Sequence, residues 1–168
     1  KTYMSTDDYG KNLALGYSSL NRDVVREKVN FFNADGIAAA AGFTSNVEDL
    51  AKFARWQIDL VKSLEKNILA PETLKVMHEI HWDDELTSIT RGLGFGVYNF
   101  DGDYWVGHGG SCPGYRSQLY INTNKELAYS VMINSSGTSP TKYIAGIHEI
   151  LSNVKIKKGE ETNRFKVV

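Results

Sequence analysis

The hydrophobic pattern of this chain changes its period near residue 90, and this change limits the possible folds more than any other feature. Upstream, apolar residues recur at helical spacing, whereas downstream they alternate or form short runs bounded by turn residues. The downstream pattern predicts four strands over residues 92–100, 104–108, 115–122 and 126–134. Asp101-Gly102 is typical of a tight turn and Thr123-Asn124 separates the last two strands, so we expect antiparallel hairpins.

Helical spacing is clearest over residues 46–62. Apolar side chains from Val47 to Val61 fall on one face of this predicted helix. Ser45 and Glu48 have the spacing of a capping box, which predicts that they close the first turn.

Two prolines mark further helix starts. Pro71 suits the first turn of a second, shorter helix. Pro140 follows the predicted N-cap residue Ser139 of a last helix over residues 139–152. The chain is therefore predicted to be an α+β protein, with an antiparallel sheet of about four strands flanked by helices.

The composition excludes several classes of protein. Hydrophobic residues make up 42% of the 168, which is enough for a core. The formal net charge is −1 with both signs interspersed, so we expect no nucleic-acid partner. No apolar run approaches the ~20 residues that span a membrane. A single cysteine, Cys112, excludes an intramolecular disulfide.

The ends of the chain predict a piece of a larger product. Lys1 stands where an initiator Met would, and the first residues contain no apolar signal-peptide segment. We expect residues 1–154 to form one domain or a large, C-terminal piece of one. Residues 155–168 are rich in charge and poor in periodicity, which is typical of a tail or linker.

Residues 106–115 carry the strongest functional signal. His108 and then the pair Gly109-Gly110 follow a short apolar run. A strand that carries one titratable side chain and then lacks side chains allows a ligand to lie against its backbone. A free backbone N–H beside the glycines can donate to an oxyanion. The alternative is a strand end with a glycine turn and one surface histidine.

Four segments of the chain are informative together, namely Leu13-Ala14-Leu15-Gly16-Tyr17, residues 41–53, residues 92–97 and residues 107–115. In the same order, they resemble segments of the serine β-lactamase-like proteins, which include class C β-lactamases, penicillin-binding proteins and related esterases. The resemblance implies the C-terminal portion of a β-lactamase/transpeptidase-like fold. It also implies a hydrolase that transfers an acyl group through a serine ester, with a β-lactam, a D-Ala-D-Ala-type peptide or an ester as substrate. The resemblance alone indicates a bacterial protein in the periplasm or outside the cell.

The same resemblance implies roles for individual residues. His108-Gly109-Gly110 is similar to the family's Lys-Thr-Gly element in its histidine form. By this match His108 is the cationic or proton-handling group, and Gly109 and Gly110 contact the substrate. The backbone N–H of Ser111 is one donor of the oxyanion hole. The expected partner is a small-molecule or peptide substrate, with no cofactor and no metal.

The other two elements of the family, Ser-x-x-Lys and Tyr-x-Asn or Ser-x-Asn, are expected outside this chain. Ser-x-x-Lys occurs at Ser63, Ser139 and Ser152, where helix ends or chance explain it. Tyr120-Ile121-Asn122 lies within a predicted strand and is interpreted as structural. We therefore expect this chain alone to be inactive, and to associate with its missing N-terminal segment or with a second copy. The alternative is a non-catalytic pseudoenzyme or binding module of the same fold.

Two other groups of reactive side chains have simpler interpretations. His78 and His81 lie near the acidic residues 83–85 but lack the His-Glu-x-x-His spacing of a metal site. They are interpreted as a polar helix end and an acidic loop. Cys112 lies four residues from His108, but nothing in the sequence orients that histidine, so the cysteine is interpreted as passive.

Overall fold

The structure is a computed structural model that describes residues 2–4, 13–63, 68–84 and 89–153. Its strands are β1 (Tyr3–Met4), β2 (Phe43–Thr44), β3 (Trp82–Asp84), β4 (Ile89–Arg91), β5 (Gly96–Phe100), β6 (Asp103–Cys112), β7 (Tyr115–Asn122) and β8 (Leu127–Ile133). Its helices are α1 (Ala38–Ala41), which follows a 3-10 turn (Asp35–Ile37), and then α2 (Val47–Lys62), α3 (Pro71–His78) and α4 (Pro140–Asn153). No described helix is long and apolar enough to cross a membrane. The predicted tail over residues 155–168 lies outside the described residues.

The α+β prediction is confirmed, with a larger sheet than expected. β3 to β8 form one sheet in chain order, every neighbouring pair is antiparallel, and β1 pairs separately with β2. Of the two additional strands, β3 includes Asp83 and Asp84, which were interpreted as part of an acidic loop, and β4 was not predicted as a separate strand. Each has only three residues, too few to show a period of two.

The predicted strand over residues 92–100 is wrong at its start. Residues 92–95 form the turn between β4 and β5, in which the Gly92 N–H donates to the Phe95 carbonyl at 2.9 Å. Gly94 has φ of 77°, a conformation that interrupts a strand and that glycine adopts without strain. The predicted strand over residues 104–108 is instead longer and continues through the glycines to Cys112.

The start of α2 also differs from the prediction. The N-cap residue is Asn46, which has extended backbone and accepts from the Asp49 N–H at 2.9 Å. Ser45, the predicted cap, instead hydrogen-bonds the Thr2 hydroxyl at 2.8 Å. Asn and Ser are similarly good N-caps, so the choice between these adjacent residues depended on contacts outside the helix.

The sheet is packed on both faces, with one predicted helix on each. On one face, Ala54 and Ile58 of α2 pack with a set of sheet residues, which are Val97, Val106, Leu119 and Ile121. On the other face, Ile144 of α4 packs with Trp105, Tyr120 and Tyr129. The alternation of side chains along β6 and β7 therefore sends one set of residues to each helix.

Candidate active site

In the described part of the chain, the segment of β6 from His108 to Cys112 is paired with a strand on one side only. β5 begins at Gly96, which pairs with Gly107, while β7 continues to pair with β6 as far as Cys112. Among the described residues, no strand pairs with the other side of this segment. We call this unpaired side the open edge of β6.

The hairpin geometry fixes which backbone groups face the open edge. The β6–β7 hairpin has a two-residue loop, so its closing pair, Cys112 and Tyr115, exchanges hydrogen bonds and the pattern alternates from there. The backbone groups of even-numbered residues of β6 thus bond to β7, and those of odd-numbered residues point to the opposite side of the strand. The β5–β6 hairpin also has a two-residue loop, and its closing pair leads independently to the same assignment. Gly109 and Ser111 therefore direct their N–H groups to the open edge.

His108 lies beside this edge with its side chain exposed to solvent. Its ring Nδ1 is 2.6 Å from the Gly109 carbonyl oxygen. A carbonyl only accepts, so this contact assigns the proton of the neutral ring to Nδ1. Nε2 then carries the lone pair and is the nitrogen that can take a proton from a ligand.

Side chains of β7 lie close to the two glycines that follow His108. A Cβ on Gly109 would lie 2.7 Å from the Gln118 side-chain oxygen, and one on Gly110 would collide with the Ser117 hydroxyl. Gly109 and Gly110 are nevertheless exposed. The strand can thus be approached closely from solvent along its backbone.

The structure brings the four predicted site residues together, since they are consecutive in one strand. His108 and Gly110 point to one face of the sheet, and Gly109 and Ser111 to the other. What the prediction missed is that the N–H groups of Gly109 and Ser111 share the open edge. This follows from where β5 begins, which no local pattern in the sequence showed.

The residues that hold the start of β5 were also missed. His78 at the end of α3 contacts the Phe95 ring edge-on, with centroids 4.8 Å apart, and its Nε2 is 2.9 Å from Oε1 of the buried Gln57. Burial lowers the pKa of His78 to about 4. The Leu93 N–H also donates to the Met77 carbonyl at 2.9 Å. The turn that precedes β5 is thus fixed to α3 and α2.

The passive interpretation of Cys112 agrees with its surroundings. The side chain is partly buried, and burial raises the pKa of the thiol more than the nearby Arg116 charge lowers it. A thiol with a raised pKa is a poor nucleophile. Arg116 itself was not singled out in the sequence, but it is the β7 partner of Ser111 and its charge acts on the Cys112 thiol.

The rings of His78, at the end of α3, and His81, which follows this helix, each contact a different polar group. The ring of His78 faces Gln57, and Nε2 of His81 is 2.7 Å from the Val76 carbonyl. No group of three or more His, Cys, Asp or Glu side chains that could hold a metal ion occurs among the described residues.

The Ser-x-x-Lys matches lie at helix ends. Ser63 is the C-cap residue of α2, Ser139 precedes α4, and Ser152 is in the last turn of α4. The lysines that follow Ser63 and Ser152 lie outside the described residues. Tyr120 is buried against α4 rather than facing the open edge.

The model of the Beta-lactamase family matches residues 2–151 of this chain. No curated protein sequence matches it. The chain is 26% identical to the octameric penicillin-binding protein homologue from Pyrococcus abyssi, with a TM-score of 0.70 over 90% of this chain and 34% of that one.

Two further solved structures share the fold. D-amino acid amidase from Ochrobactrum anthropi SV3 is 21% identical, with a TM-score of 0.65 over 90% of this chain and 48% of that one. The β-lactamase/D-alanine carboxypeptidase from Pseudomonas syringae is 19% identical, with a TM-score of 0.63 over 92% of this chain and 49% of that one. The chain thus spans about a third to a half of the length of these structures.

Proposed function

Because this chain belongs to the Beta-lactamase family, we propose that it contributes the His-Gly-Gly strand and one oxyanion donor to a serine hydrolase that acts by acyl transfer. The observation that carries this proposal is the open edge of β6. It presents the N–H groups of Gly109 and Ser111 beside an exposed His108, whose Nε2 is free to exchange a proton with a ligand.

In this proposal the substrate lies along the open edge like an additional strand. Its reactive carbonyl oxygen accepts from the Ser111 N–H, and the nucleophile's own N–H is the second donor. Attack by a serine hydroxyl places negative charge on that oxygen, where fixed donors stabilise it. The leaving group departs with a proton, and water then hydrolyses the serine ester. His108 exchanges a proton with the substrate at Nε2, or stabilises its charge when protonated.

The substrate is a carbonyl compound with room to approach the backbone, namely a β-lactam, a D-Ala-D-Ala-type peptide or an ester. The exposed, unsubstituted Gly109 and Gly110 support this class. Arg116, which pairs with Ser111, favours a substrate that carries a negative charge nearby.

The serine and its general base come from polypeptide outside these residues. The free side of β8 and the exposed apolar residues of α4 support association with such a segment or with a second copy. Those α4 residues are Tyr143, Ile147, Ile150 and Leu151. The octameric state of the Pyrococcus abyssi homologue is consistent with self-association.

The experiment that tests this proposal compares the 168-residue chain with its complete gene product. Each is treated with a fluorescent penicillin and with a fluorophosphonate probe. We expect no stable serine adduct in the chain alone, and one acylated serine outside it in the complete product. Acylation of Ser63 or Ser139 would contradict the proposal. A complete product that is neither acylated nor active would leave the non-catalytic binding module as the function.

Binding to the open edge is measured separately by NMR. An acyl-D-Ala-D-Ala peptide is titrated into the isotope-labelled 168-residue chain. We expect the largest shifts at the backbone amides of Gly109 and Ser111. Shifts confined to residues far from β6 would contradict the proposed site.

A further inference from the structure

Two of the four segments that resemble the family, residues 13–17 and residues 107–115, contact each other at the tip of the β6–β7 hairpin. The Tyr115 hydroxyl donates to the Ala14 carbonyl at 2.7 Å, across 101 positions of sequence. Phe31 adds an edge-on ring contact to Tyr115, with centroids 6.5 Å apart. The hairpin that carries the open edge is therefore held from outside the sheet.

The contact is close because both backbones carry glycine. A Cβ on Gly16 would lie 2.7 Å from the ring of Tyr115 and 3.2 Å from the Cα of Gly114. A Cβ on Gly114 would lie 2.9 Å from the Cα of Gly16, and Gly114 also has φ of 82°. Neither position accepts a side chain unless the segments move apart.

The segment that reaches Tyr115 is itself anchored to the loop after β8. The Tyr17 N–H donates to the Asn134 carbonyl at 3.0 Å, and the Asn134 side chain donates back to the Leu15 carbonyl at 2.9 Å. The Gly114 N–H donates to the Ser136 hydroxyl at 3.0 Å. Arg26 bridges the two parts by donating to the carbonyls of Ser18 and Ser136, at 2.6 and 2.8 Å.

We infer that residues 13–17 act as a clamp that positions the open edge of β6, and that Tyr115 is the positioning residue through which the clamp acts. This inference deepens the proposed function, since it assigns what keeps His108 and Ser111 in place. The end of β6 needs such support because no strand of the described residues pairs with one side of it. Its position therefore depends on β7 and on the hairpin tip.

The first test is amide hydrogen exchange of the 168-residue chain and its Tyr115→Phe variant. The substitution keeps the ring and removes the hydroxyl that bonds to Ala14. We expect the amides of Gly110 and Cys112 to exchange about fivefold faster, the factor for one lost hydrogen bond. The amide of Trp105, in the part of β6 that β5 covers, should be unchanged. Tyr104→Phe, exposed on the same strand, is the matched control and should change neither.

The second test examines the close backbone approach. Gly16→Ala should produce a larger local increase in exchange than Tyr115→Phe, because its methyl group collides with the ring. Gly36→Ala is the control, since nothing lies within 4 Å of a Cβ there. The double variant Gly16→Ala/Tyr115→Ala should exchange its Gly110 and Cys112 amides little faster than Tyr115→Ala alone, because the two residues act through one contact.

The third test links the clamp to the site. Tyr115→Phe should raise the dissociation constant of the acyl-D-Ala-D-Ala peptide, read from the Ser111 amide, about fivefold. Equal changes in exchange at Trp105 and Cys112 would overturn the inference, because Tyr115 would then stabilise the fold in general. A local change that left peptide binding unaltered would overturn it too. If the unaltered chain binds no peptide, the binding proposal fails, and the exchange data alone decide whether the clamp exists.

Discussion

Gly96 pairs with Gly107 as the last pair between β5 and β6, and His108 is the first residue of β6 beyond it. The catalytic histidine of the proposed site thus lies at the exact point where the sheet loses a strand. The turn over residues 92–95 produces this step, since it connects β5 back to β4 before β5 can extend beside His108. The open edge is therefore a property of two strands of unequal length.

His108→Ala should lower kcat/KM of the complete gene product about 10²-fold or more, because a positioned acid or base contributes ~10²–10⁴. The fold should remain intact, since the side chain is exposed. Steady-state kinetics and circular dichroism measure the two effects. Tyr104→Ala, exposed on the same strand, is the control. Equal activity of the two variants would exclude His108 from the chemistry.

Gly110→Val should be at least as damaging as His108→Ala, whereas Ser111→Ala should be mild. A branched side chain at position 110 would block the substrate and displace the Ser111 N–H, and losing one oxyanion donor costs ~10²–10³ in rate. Only the backbone of Ser111 is proposed to act. The comparison is made by kcat/KM in the complete gene product.

A control separates blocking of the substrate from crowding between strands, because a Cβ on Gly110 also meets the Ser117 hydroxyl. Gly110→Val is therefore repeated in a Ser117→Ala background, where that hydroxyl is absent. In that background, Gly110→Val should still lower kcat/KM. A harmless Gly110→Val together with an inactive Ser111→Ala would refute the proposed oxyanion role.

The stability of the chain should decrease as the pH falls from about 6.5 to about 4. Burial lowers the pKa of His78 to about 4, so in this window the unfolded chain binds a proton that the folded chain does not. The free energy of unfolding, from urea titrations across this range, should show a smaller pH dependence in His78→Gln. Thr73→Ala, exposed on the same helix, should retain the original dependence. If the free energy of unfolding of His78→Gln kept the original pH dependence, the pKa of His78 would be the same in the folded and the unfolded chain.

The isolated chain should self-associate through the free edge of β8 and the exposed apolar residues of α4. β8 has no described strand on its free side, and Ile150 of α4 is 66% exposed. Ile150→Lys should shift the chain toward monomer in sedimentation velocity, because it places a charge in the apolar surface. Lys142→Gln, on the same helix, is the control and should not. A monodisperse, highly stable monomer would count against an incomplete fold.

Local patterns in the sequence predicted the elements that local chemistry determines. The helices predicted over 46–62 and 139–152 agree with α2 and α4 to within one residue at each end. They were predictable because apolar spacing and proline mark them directly in the sequence. β7 and β8 were predicted for the same reason, with alternation and turn residues in one short stretch. β3 and β4 were not, since three-residue strands gain their identity only from the neighbours they pair with.

The sequence by itself determined that His108 ends a β-like run and is followed by Gly109, Gly110 and Ser111, because this order of residues needs no distant partner to be recognised. The strand continues through these glycines to Cys112 because β7 pairs with it there. Only the tertiary structure decided which side of that strand is open and what holds it there. The open edge depends on β5 beginning only at Gly96, and the clamp depends on the close backbone approach of Gly16 to Gly114. Such contacts join residues far apart in the chain, and no local period or turn signal encodes them.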